Sequence, residues 1–85
     1  MSDTDYILGK VKEAFQAAFD IDPQLVHMEA DASDIEGWDS VGHLLLASNL
    51  EQVFEISLDV DELMEMENVR EIVRIIATKL SKKVK

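Results

Sequence analysis

Asp39-Ser40-Val41-Gly42-His43-Leu44-Leu45-Leu46-Ala47-Ser48-Asn49-Leu50-Glu51-Gln52-Val53-Phe54 is the stretch whose reading decides the fold. It opens on an Asp-Ser pair, residue types whose side-chain oxygens satisfy the free amides of a helix start. Leu44, Leu46, Ala47, Leu50 and Phe54 then recur at helical spacing, which predicts an amphipathic helix over residues 40–55. On its wheel His43 falls on the side of Leu44, Ala47, Leu50 and Phe54, while Val41 and Leu45 face solvent.

Upstream, residues 20–38 show no sustained period and hold Pro23, Gly37 and six acidic groups. A connection that long in a small domain is functional or spans a real distance. Before it, Leu8, Val11, Ala14, Phe15, Ala18 and Phe19 predict a helix over 4–19, capped by Asp3 or Thr4 and stopped at Asp20-Ile21-Asp22-Pro23. Downstream, Asp59 with Asp61 and Glu62 predicts a short third helix over 59–66. Asn68 and Glu71 resemble a capping box, and Val69, Ile72, Val73, Ile76 and Leu80 form the stripe of a fourth helix over 68–82. No β-type alternation or repeat appears. The fold class is therefore all-α, a small four-helix bundle of three longer helices and one short one, in a single domain spanning 1–85.

Composition narrows the function. Eighty-five residues leave little room for separate substrate and cofactor lobes. With no cysteine there is no disulfide, thiolate metal site or thiol nucleophile. Residues 1–78 carry 4 basic and 18 acidic side chains, a net of −14, and four lysines crowd the last seven positions. That field repels nucleic acid and anionic lipid and attracts basic partners. No apolar run reaches membrane-spanning length, and the acidic start differs from a basic leader, so a cytoplasmic monomer is expected.

The chemical candidates are few. Ser40 and His43 stand three residues apart, but Gly37-Trp38-Asp39-Ser40-Val41-Gly42 misses the nucleophile-elbow pattern by one residue and follows no strand. No catalytic residue is assigned. His27 and His43 lack a paired metal spacing and read as structural, with His43 packing near the long loop and hydrogen-bonding a backbone group. The acidic clusters Asp20, Asp22 and Asp31, Asp34, Glu36 do not satisfy a calcium-loop pattern, so no metal is expected. Met64 and Met66 read as core fillers. Trp38 reads as a loop residue tucked over the bundle with one hydrogen bond, the alternative being a contact surface beside Ser40.

Gly37-Trp38-Asp39-Ser40-Val41-Gly42-His43-Leu44 resembles the prosthetic-group site of the acyl carrier protein family, in which Asp-Ser and an apolar residue open a helix. The likeness covers nearly the whole chain, because Glu51-Gln52-Val53-Phe54, Ile56-Ser57-Leu58, the short acidic helix and the Val69-led last helix follow in family order. It implies that Ser40, preceded by Asp39, carries a 4'-phosphopantetheine derived from coenzyme A and attached by a phosphopantetheinyl transferase. The thiol missing from the chain would come with that arm, and acyl groups would ride on it as thioesters. The chain would be no enzyme but a cosubstrate for loading, synthase or acyltransferase enzymes with basic docking surfaces.

For those partners the candidate contacts are Val41, Leu45, Glu51, Glu55, Asp61 and Glu62. Leu45 is open to a second reading, contact with the loop or the third helix. Many fatty-acid carriers have acidic residues two and five positions after the serine, where this chain has Gly42 and Leu45. That departure counts against the usual fatty-acid partners, and the apolar pair Val41 and Leu45 is more like carriers of dedicated pathways such as polyketide, peptide or glycoconjugate assembly. The expected pathway is therefore fatty-acid, polyketide or another dedicated biosynthesis. The rival reading is a small acidic helical interaction module without a prosthetic group.

Overall fold

The computed structural model describes residues 3–83. Four α-helices follow in chain order: α1 (Asp3–Phe19), α2 (Ser40–Phe54), α3 (Val60–Glu65) and α4 (Val69–Lys83). No strand occurs among the described residues. All four helices start or end within two residues of the bounds expected from periodicity and caps.

α1 places Ile7, Val11, Ala14 and Phe15 in the core. Thr4 lies within its first turn, and the side chain of Asp3, the other capping candidate, lies outside the described part. The helix ends because Asp20 turns left-handed, at φ 54°, while its amide still reaches the Gln16 carbonyl at 2.8 Å. The stop therefore falls three residues before Pro23. Pro23 opens a 3₁₀ turn, Pro23–Leu25, capped by the Asp22 side chain.

The 20–38 connection is tied down along its length. Val26, Ala30, Ile35 and Trp38 are buried in the core, and the Trp38 ring meets Phe15 edge-on with centroids 5.0 Å apart. Its carbonyls also finish α4: the Val69 amide donates to Ala30 at 2.9 Å and the Arg70 amide to Met28 at 3.0 Å. The loop thus supplies acceptors for donors that the helix cannot satisfy itself. Asn68 accepts from the Glu71 amide at 2.9 Å. The other half of the expected capping box is replaced, because the Glu71 carboxylate pairs with Arg74 at 2.7 Å.

α2 and α4 deliver the rest of the core: Leu46, Ala47, Leu50 and Phe54 from the first, Val69, Ile72, Val73, Ile75 and Ile76 from the second. α1 packs against both. α3 differs, for none of its residues is fully buried. Two sequence readings are corrected here. Met64 is 72% exposed and is no core filler, whereas Met66 is buried as expected; Leu44 is 61% exposed and leaves the core stripe. Both sit on an apolar wall that a helical wheel cannot distinguish from core.

Candidate functional site

Ser40 is the first residue of α2 and is exposed. Asp39 is the cap: its Oδ1 accepts from the Gly42 amide at 2.8 Å and its carbonyl from the His43 amide at 2.7 Å. This orders the first turn and leaves the Ser40 hydroxyl on the outer rim of a helix start, where backbone N–H groups and the positive dipole end favour an anionic oxygen.

Behind Ser40 the loop presses hard on the helix. Gly37 has φ +95°, a region open to glycine, and Phe19 lies against it. A Cβ on Gly42 would run into the Gly37 carbonyl oxygen and come within 2.8 Å of Phe19 Cε1. Packing therefore penalises any side chain here, including the acidic one that many fatty-acid carriers have two positions after the serine. The departure has a structural cause in this chain.

In front of Ser40 the surface is open. A cavity of about 580 Å³ lies between the start of α2 and α3. Ala32, Trp38, Ser40, His43 and Leu44 line one side, and Val60, Leu63, Met64 and Met66 the other. Apart from the polar groups at the rim it is a trough for an apolar chain.

His43 crosses this trough. The Trp38 indole Nε1–H donates to His43 Nδ1 at 2.8 Å, and His43 Nε2 lies 2.8 Å from the Leu63 carbonyl oxygen. The expected bond from His43 to a backbone group is thus present, and Trp38 is 5% exposed with one hydrogen bond, as its loop reading expects. His27 differs: it is exposed, and its carbonyl accepts from Ala30 at 2.9 Å in a turn. Among the described residues no group of His, Asp and Glu is placed to hold a metal.

The docking candidates separate. Val41 is 76% exposed and Leu45 49%, both away from the cavity lining; Glu55 and Asp61 are exposed. Glu51 is half-buried, and its Oε2 accepts from the Leu58 amide at 2.8 Å. Glu62 closes a capping box with Asp59 and pairs with Lys79 at 2.8 Å. The Lys79 contact, then the Asp59 amide, hold the Glu62 carboxyl below the usual glutamate range. Glu51 and Glu62 thus hold the chain's own backbone. Sequence reasoning missed the Gly37–Gly42 approach and the Trp38–His43–Leu63 connection, since neither has a sequence spacing that announces it.

Comparison with known proteins places the chain in a family. Curated protein sequences give no significant match. Among solved structures, the chain is similar to a holo acyl carrier protein from Geobacter metallireducens, at 31% identity and TM-score 0.81 over 91% of this chain and 88% of that one. The sequence model described as "Phosphopantetheine attachment site" matches residues 9–76, a span that includes Ser40 and all of α2 and α3. The chain is thus a carrier domain of the acyl carrier type and not itself a catalyst, and it belongs to the phosphopantetheine attachment site family, whose prosthetic group is covalently attached.

Proposed function

We propose that Ser40 is the attachment residue and that this carrier holds acyl intermediates for the enzymes of a biosynthetic pathway. The observation that carries the assignment is the exposed Ser40 hydroxyl on the first residue of α2, at the mouth of an apolar cavity and inside the family-matched region. When bound, 4'-phosphopantetheine supplies the terminal thiol on which an acyl group is held as a thioester.

The chain's own residues do the holding and the presenting. Asp39 fixes the first turn of α2, and the amides and dipole at that turn favour a phosphodiester on the Ser40 oxygen. Tethering raises the local concentration of cargo at a partner's active site, so the domain acts as a cosubstrate. A phosphopantetheinyl transferase must reach Ser40, and so must the loading, synthase or acyltransferase enzymes that follow. Val41 and Leu45 offer them apolar contact, while Glu55 and Asp61 attract basic docking surfaces. Leu45, apolar and half-exposed at the fifth position after the serine, favours a dedicated pathway, polyketide or similar, over general fatty-acid synthesis. The acidic, cysteine-free composition favours a monomer acting in the cytoplasm.

Co-expression with a broad-specificity phosphopantetheinyl transferase tests the assignment by intact mass. The wild-type chain is expected to gain one prosthetic group and Ser40→Ala none. Loading of the alanine variant, or failure of the wild type to load with any such enzyme, refutes it.

A further inference from the structure

α3 covers the cavity beside Ser40, yet little apolar burial holds it there. It has no fully buried residue, and Val60 and Met64 on it are 69% and 72% exposed. Among the described residues, its main-chain connection across the cavity runs through one side chain, His43. An indole N–H can only donate and a carbonyl oxygen can only accept, so the bonds from Trp38 and to Leu63 hold together only when His43 is neutral with its proton on Nε2. The two rings lie 17° from parallel with centroids 6.1 Å apart. The loop, α2 and α3 are thereby joined in one line.

We propose that this line is a strut, with His43 the positioning residue that sets how far α3 stands from the wall bearing Ser40. Trp38, held edge-on against Phe15 in the core, is its fixed end, and Leu63 is its movable end. Resting on the carrier reading above, the occupant of the trough is the aliphatic part of a tethered acyl chain, because Leu44, Val60, Leu63 and Met64 beside Ser40 offer apolar contact. By setting how far α3 stands from the Ser40 wall, His43 sets how much of that cargo the trough covers.

The test is amide hydrogen exchange on the full, unmodified chain, read at Leu63 and Met66, whose amides donate to Asp59 and Leu63. His43→Leu removes both bonds. It is expected to speed exchange at these amides by about tenfold, equivalent to ~1.4 kcal/mol, within what two net hydrogen bonds contribute. Ile72 and Ile76 in α4 are expected to keep wild-type protection. His43→Gln, which has both an acceptor and a donor, is expected to recover most of the loss. Equal exchange in wild type and His43→Leu overturns the strut. So does uniform acceleration in α1 and α4, which would make His43 a general core residue. In the wild type, ¹⁵N spectra are expected to show His43 Nδ1 without a proton and Nε2 with one, and the opposite tautomer overturns the proposal even if the variants do not fold. Repeating exchange on chain loaded with an octanoyl arm separates the two readings: a chain that cannot be loaded refutes the carrier assignment, while the strut stands or falls on the unmodified protein.

Discussion

α4 and α3 are neighbours held by different physics. α4 buries five aliphatic side chains, and its first two amides are finished by loop carbonyls. α3 is six residues long, buries none of them fully, and is held through the Asp59–Glu62 capping box, the Glu62–Lys79 pair, the Glu65–Arg74 pair and the bond that the Leu63 carbonyl accepts from His43. Burial is non-directional and scales with area, so α4 gives way only with the whole core. Polar ties are few and each contributes little, so α3 can let go alone. The difference sets a burial-held core against a yielding wall of the cavity beside Ser40, an arrangement in which that wall can loosen while the fold stays intact.

The largest expected effect comes from breaking the stable half. Ile72 is fully buried in the core cluster, and Ile72→Ala is expected to lower unfolding free energy by ~2–5 kcal/mol through lost transfer energy and a residual cavity. Urea unfolding followed by far-ultraviolet dichroism measures it. A loss under 1 kcal/mol would mean that α4 is not the burial-held element described.

Next in size is Gly42→Ala, where two effects oppose each other. Alanine gains up to ~1 kcal/mol of helix propensity over glycine. Its Cβ, however, meets the Gly37 carbonyl oxygen and Phe19 Cε1, and overpacking against backbone costs about 1–3 kcal/mol. The variant is therefore expected to be less stable than wild type. Gly9→Ala, in α1 with nothing within 4 Å of the new carbon, is expected to be more stable by up to ~1 kcal/mol. Melting temperatures that move the same way in both variants would show that the loop yields and that the rear of the site is not close-packed.

What could be read from residues alone follows the same division. α1, α2 and α4 declare themselves because caps and a 3.6-residue period write directly into sequence, and Asp39-Ser40 marks the site for the same reason. The cavity does not declare itself. Leu44 and Met64 look like core on a wheel, since a wall facing a trough and a wall facing another helix are equally apolar. Trp38 and His43 stand five apart across a loop–helix junction, a spacing with no periodic meaning. Glu51 and Glu62 read as surface charge until the Leu58 and Asp59 amides they satisfy are seen.

On the site side, Asp39→Ala removes the oxygen that accepts from the Gly42 amide. A lost N-cap costs ~1 kcal/mol. Because α2 is otherwise held by Leu46, Leu50 and Phe54, the expected outcome is fraying of the first turn around Ser40 with the core intact. Faster amide exchange at Gly42 and His43, with Leu50 unchanged, is the measurement. Unaltered exchange at Gly42 would show that the cap contributes nothing to ordering the attachment point.

The smallest effect tests the yielding half by acid. The bond from Lys79 and the Asp59 amide hold the Glu62 carboxyl below the ordinary glutamate range in the folded chain. A depressed folded value means that the stabilisation is fully present above the unfolded value of about 4.3. It is lost as pH falls through the folded value, because the unfolded state takes up the proton first. The pair is about a quarter exposed on each side, so its contribution is roughly 0.5 kcal/mol. In a His43→Gln background, whose side chain takes up no proton, exchange at Leu63 and Met66 is expected to rise between pH 5 and pH 3, after correction for intrinsic rates, by about twofold while Ile76 stays protected. Glu62→Gln keeps the acceptor for the Asp59 amide and removes the charge, so it is expected to show the higher exchange already at pH 6 and to lose that step in acid. If α3 and α4 lose protection together over this range in that background, the two helices form one cooperative unit and the contrast between them fails.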